Sequence, residues 1–371
     1  MHDSTIPAGA AAGPCAAEDL EELGPAEERD EVLELDDLEG LGDLDLLEES
    51  PPSARRPEPG GWLDGDGAEE LEELMPASPM APASGPREER DGHIDHKVNS
   101  FVPNEFLRLM GKKSIMELKL GDHLKREMTV FFSDIRQFTE IFESISPEEG
   151  FRFINSYFTR IVPIISQYGG FVDKYIGDAI MAIFPQSNGA DMAVRASVEI
   201  QKRLREYNKH RASRGYRPLN IGIGLHTGPI ILGVVGTHNR MQNTVISDAV
   251  NLASRIEGLT KTFGVAMAIS GQTFRKLEYP EKYMFRYLGN VRVRGKSAPT
   301  SVYEILNGTD EELMELKVMT SRDFEQGLFS FARRKYSDAL DNFNSVLNVL
   351  PGDRASEVYV ERCQEQIKRG A

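Results

Sequence analysis

Cysteine is scarce in this 371-residue sequence: Cys15 and Cys363 stand at opposite ends of the chain. Two so placed exclude a disulfide framework and every closely spaced zinc-ligand motif, and they suit a reducing, cytoplasmic setting. Long apolar runs are missing too. IVPII and PIILGVV fall far short of the roughly 20 residues a membrane helix needs, so no membrane span is expected. The opening MHDSTIPAGAAAGPCAAEDL has neither the basic start nor the apolar stretch of a secretory signal. Basic residues are rare in the first 95 positions, where 5 arginines face 28 acidic side chains, while the rest of the chain carries 38 basic and 31 acidic groups. The formal net charge of -16 is thus an average over an acidic tail and a mildly basic body, and it does not exclude an anionic substrate for the body. No nucleic-acid partner is expected.

Residues 1–97 are rich in Glu, Asp, Pro, Gly and Ala and hold few aromatics, with Trp62 alone in the first 95 positions. Such composition buries too little apolar surface to offset the entropy of ordering, so a disordered acidic tail is expected. A sharper reading is an amphipathic segment from Val32 to Leu47 that docks on a partner or folds back on the basic body as an inhibitor. Residues 98–126 read as a helical connector, with Phe106, Leu109 and Met110 at helical spacing.

From there the pattern alternates. MTVFFSDI reads as a buried strand ending in a carboxylate. Ser146-Pro147-Glu148-Glu149 caps a helix that Tyr168-Gly169-Gly170 stops, and FVDKYIGDAIMAIF reads as a hairpin turning at Ile176-Gly177-Asp178. A helix over Asp191 to His210, two strands at LNIGIGLHTG and PIILGVVG, and a helix at VNLASRIEGL follow. VAMAIS, KYMFRYLG and SVYEIL are expected to close the sheet. The order predicts an α+β domain over 127–307 with a ferredoxin-like βαββαβ core. Residues 308–371 read as helical, and Tyr336, Ala339, Phe343 and Leu347 repeat in the manner of a tetratricopeptide motif. With room for about one repeat, a hairpin packed on its own domain or on a dimer partner is expected rather than a free-standing array.

The chemistry-bearing residues begin with carboxylates. Asp134 ends the first strand and Asp178 lies in the turn of the hairpin beside it. Two carboxylates at neighbouring strand ends suit Mg²⁺, which takes oxygen ligands and leaves part of its shell to substrate phosphates. An aspartate in a turn is more often there for the turn, so the pair needs support. That support is a resemblance: FFSDIRQFT, GGFVDKYIGDAIMAIF, IGLHTGPIILGVVG and TVISDAVNLASRIEG, in this order, resemble the successive signatures of class III adenylyl and guanylyl cyclases.

The resemblance implies a cyclase using two Mg²⁺ (or Mn²⁺) ions, held by Asp134, Asp178 and the backbone carbonyl of Ile135. It implies that Asn251 orients the ribose and Arg255 the α-phosphate, one helical turn apart. Lys174 and Thr244 would read the base, Lys296 would grip the terminal phosphates with Arg294 assisting, and the sites would be shared across a homodimer. A lysine donates and cannot accept, which suits N1 of adenine and therefore ATP. His226 reads as a structural histidine. A guanylyl or relaxed purine cyclase, a silent cyclase-like binding module and a dinucleotide cyclase stay open as alternatives, the last lacking a GGDEF-type turn. The acidic tail or the C-terminal helices offer contacts for a regulatory protein of unidentified kind.

Overall fold

The computed structural model describes the backbone of Leu33–Glu34 and residues 102–292 and 299–370. The rest of the acidic tail, together with Arg294 and Lys296, lies outside the described residues.

The chain builds one nine-stranded sheet. After β1 (Leu33–Glu34) and a short connector helix α1 (Asn104–Leu109), β2 runs over His123–Ile135, longer than its apolar core MTVFFSDI, because its polar start pairs with β5 throughout. A short helix α2 (Phe138–Glu143) follows, and then α3 (Pro147–Gln167) opens as expected. Ser146 accepts from the Glu149 amide while the Glu149 side chain accepts from the Ser146 amide, and Pro147 occupies the first turn. Hairpin β3 (Phe171–Ile176) and β4 (Ala179–Phe184) leads to α4 (Gly189–Ser213) and β5 (Ile221–Thr237). The core strands lie in the order β5-β2-β4-β3 with antiparallel neighbours, which is the ferredoxin-like arrangement.

Two strands were expected across LNIGIGLHTG and PIILGVVG, and one strand of 17 residues is found. Pro229 would interrupt a ladder that needs its N–H. Here it sits opposite Glu127 of β2, in the interval between the pairing of β5 with β7 (Met267–Ser270) at residues 223–225 and with β6 (Arg240–Ile246) at residues 231–237. The strand therefore runs through it. Strand β6 itself was not foreseen, because RMQNTVI has no clean alternation.

After β6 come α5 (Asp248–Thr262), β7, a single turn α6 (Gly271–Phe274), β8 (Phe285–Arg292) and β9 (Thr300–Ile305). Helices α3 and α4 cover one face through Phe153, Tyr157, Ile161, Val194 and Ile200. The other face is covered by α5 and by α1, whose Phe106 and Leu107 pack with Met128, Val130, Ile230 and Leu232. Beyond them, α7 (Glu311–Met319), α8 (Ser321–Ala332), α9 (Tyr336–Val349) and α10 (Arg354–Lys368) complete the chain. Phe324, Phe331, Phe343 and Tyr359 from this helical segment share a core with Leu252, Ile256 and Phe263 of the α5 region and Leu288 of β8. The terminal helices are thus packed on their own sheet. Outside the core, β1 adds parallel to the free edge of β8, Leu33 opposite Val291.

Candidate active site

Strand alternation places Asp134 on the same face as Met128, Val130 and Phe132, the face α5 covers with Ala249 and Ala253. Asp134 stands one residue beyond the last β2–β4 pair, Ser133 with Ile180, so its carboxylate emerges at the end of the ladder. Asp178 reaches the same point from the β3–β4 turn. Ile176 pairs with Ala179, which leaves Gly177-Asp178 as the loop, and Gly177 has φ +63°, a left-handed value that glycine accepts at little cost. The turn aims Asp178 at β2, where the Ile135 amide donates to its Oδ2 at 3.1 Å.

Burial and the neighbouring Asp134 carboxyl push the Asp178 pKa up to about 7. Two half-buried carboxyls that converge on one point are suited to a divalent cation between them. Among the described residues no cluster of three acidic, histidine or cysteine side chains exists, so this chain supplies two carboxylates and backbone. That donor set fits Mg²⁺, whose remaining positions go to water and phosphate oxygens.

Helix α5 holds Asn251, exposed, and Arg255, half-buried, four residues apart on one face. Ser247 caps the helix by accepting from the Ala249 amide and donates to the Pro229 carbonyl, tying its start to β5. The close approach depends on Gly224, where a Cβ would lie 2.6 Å from Glu257 Cα. Reasoning from the sequence missed a clamp at the other end of this contact. Arg136, two residues after Asp134, pairs with Glu257 of α5 at 3.2 Å and hydrogen-bonds the Thr260 hydroxyl. It joins the carboxylate strand to the helix of Asn251 and Arg255. Nothing in local spacing marks a partner more than 120 positions away.

Lys174 lies on β3 with its ammonium 3.2 Å from Asp173 Oδ2. Thr244 stands on β6 opposite Gly233, eleven β5 residues from Gly222, the partner of Asp134, so it sits at the opposite end of the β2–β5 ladder from the carboxylate pair. Asp134, Ile135 and Asp178 are brought together in one chain, and Thr244 is set apart from them. His226 is buried and its Nδ1 lies 2.8 Å from the Ser270 hydroxyl, within a chain of Ser270, Thr273, Thr227 and Thr129 hydroxyls that satisfies it as a structural group.

The architecture is that of a ferredoxin-like domain with two carboxylates converging at its strand ends. Comparison with known proteins carries the assignment further. The family model for the adenylate and guanylate cyclase catalytic domain matches residues 122–307, half of the chain, and the chain belongs to that family. It is 35% identical over 281 residues to a terminal-differentiation-specific adenylate cyclase of Dictyostelium discoideum, covering 74% of this chain and 13% of that protein. To an adenylate cyclase of Anabaena cylindrica it is 41% identical over 210 residues, covering 55% of this chain and 42% of the relative. The chain thus spans less than half the length of these curated relatives. The structure of a bacterial light-regulated adenylyl cyclase superposes with a TM-score of 0.53 at 28% identity, over 62% of this chain and 66% of that one.

Proposed function

We propose that this protein is an adenylyl cyclase, converting ATP to 3′,5′-cyclic AMP and pyrophosphate by in-line attack of the ribose 3′-oxygen on the α-phosphorus. The observation that carries the reading is the convergence of Asp134 and Asp178 on one point at the strand ends. Two Mg²⁺ or Mn²⁺ ions held there by Asp134, Asp178 and the Ile135 carbonyl would acidify the 3′-hydroxyl and neutralise the phosphates. The chain's own side chains do the rest. Asn251 holds the ribose so that its 3′-oxygen lies in line, and Arg255 donates to the α-phosphate as charge builds there. Lys174 donates to adenine N1 and the Thr244 hydroxyl accepts from the 6-amino group, while guanine would set a donor against the lysine. Lys296 grips the β- and γ-phosphates.

The active unit in this reading is a homodimer, with the carboxylates of one protomer facing the nucleotide ligands of its partner. The separation of Thr244 from the carboxylate pair supports it. So do the exposed apolar side chains Tyr175 and Ile176 at the hairpin tip and Ile231, Val235, Met241 and Ile246 on the β5–β6 ribbon, a surface that water alone would not favour. The pairing of Leu33–Glu34 with β8 supports the fold-back reading of the acidic tail, in cis, over docking on another protein.

The test is complementation. Asp178→Ala and Asn251→Ala are each expected to be inactive, and mixing the two after subunit exchange restores cyclic AMP formation from ATP, because one hybrid interface is intact. Persistent inactivity with exchange confirmed would place the whole site in one chain. An equal rate with GTP would replace the adenylyl reading with a relaxed purine cyclase.

A further inference from the structure

Beside Lys174 lies a carboxylate that the mechanism above does not use. The side chain of Asp173 is wholly buried, and among the described residues no donor makes a well-formed hydrogen bond to either of its oxygens. Its counter-charge is the Lys174 ammonium 3.2 Å from Oδ2, and that lysine is still 32% exposed. Adjacent residues on a strand normally point to opposite faces, so this pairing needs a cause. The cause is a bulge: β3 pairs Val172 with Ala182 and then Lys174 with Met181, leaving Asp173 as the extra residue. On either side of it, Val172 packs toward the α3–α4 core and Tyr175 stacks on Phe158 of α3 at 4.2 Å. The two residues between them are left to the opposite face. The strand gives up a ladder position, and the result is a buried carboxyl next to an accessible lysine; burial pushes the Asp173 pKa up, and the Lys174 ammonium beside it opposes that rise.

We propose that Asp173 is a positioning residue for base selection: it anchors the Lys174 ammonium in one orientation, where purine N1 arrives. The inference rests on the reading of Lys174 as the residue that meets N1. A lysine head group on four rotatable bonds is a mobile donor, and a fixed carboxyl 3.2 Å from the ammonium restricts the orientations it can take.

The experiment measures kcat and KM of the full-length protein for ATP, GTP and 1-deazaadenosine triphosphate, which lacks the N1 acceptor, in Asp173→Asn, Lys174→Ala and the double variant. Asp173→Asn is expected to raise KM for ATP about tenfold with a smaller change in kcat, and to narrow the ATP-to-GTP ratio of kcat/KM by about tenfold. The deaza analogue should be indifferent to Asp173→Asn, and the substitution should add nothing once Lys174 is Ala. Asp173→Glu, which keeps the charge, should recover part of the ratio. If Lys174→Ala leaves that ratio untouched, the base-selection reading itself fails. If Lys174→Ala collapses it while Asp173→Asn does not, the inference alone fails. An Asp173→Asn protein that does not fold, or that loses all three nucleotides equally, makes Asp173 a structural carboxylate and overturns the proposal.

Discussion

Arg255 illustrates how little a single residue says by itself. An arginine on a helix is ordinarily a solvated cation, yet this one is half-buried, a turn after Asn251, on a helix tied to the Asp134 strand by Arg136 and Glu257. Arg255→Ala is expected to lower kcat by about 10²–10³ with little change in melting temperature, the cost of one preorganised donor. Steady-state rates alongside a thermal melt check it. Asp178 carries a second expectation. Its carboxyl titrates near pH 7 in the folded protein against an ordinary value of 3.8, so the fold favours the protonated form. Its contribution to stability is complete below the ordinary value and is lost as pH rises through about 7. In EDTA, wild type should therefore lose more melting temperature between pH 5.5 and pH 8 than Asp178→Asn does, and Mg²⁺ should stabilise wild type more at pH 8 than at pH 5.5. Parallel slopes for the two proteins in EDTA would refute the assignment.

At the scale of elements, a buried charge network binds the terminal helices to the sheet. Arg286 of β8 forms two hydrogen bonds to Asp353, at 2.9 and 3.0 Å, and pairs with Glu304 of β9, which also accepts from Lys317 of α7. Asp353 in turn caps α10 through the Ser356 amide and hydroxyl. Arg286 is 1% exposed and sits 4.6 Å from the Phe324 ring centre. Removing it leaves two buried carboxylates short of their cation, so Arg286→Ala should destabilise the protein by about 3–5 kcal/mol, measurable by denaturant titration. The spacing of Tyr336, Ala339 and Phe343 revealed the helix and its apolar face. It could not reveal that the face meets α8, α10 and α5, nor that a cation 67 positions before Asp353 would cap the arrangement.

For the whole molecule, the acidic tail and the body are joined at the β8 edge, next to the strand that leads into the segment holding Arg294 and Lys296. Removal of residues 1–95 is expected to raise basal activity, chiefly by lowering KM for the nucleotide, and the gain should shrink at high salt, where screening weakens attraction between opposite charges. Unchanged kinetics would end the self-inhibition reading.

The βαββαβ order, the Ser146 cap, the Gly177-Asp178 turn and the meeting of Asp134 and Asp178 at neighbouring strand ends were legible in the sequence, because each rests on local periodicity, turn preference or motif order. Tertiary structure decided the rest. It ran β5 through Pro229, added β6, bulged β3 at Asp173, and closed the Arg136–Glu257 and Arg286–Asp353 contacts. These depend on which strand lies beside which and on what burial leaves unpaired. Local pattern carries no record of either.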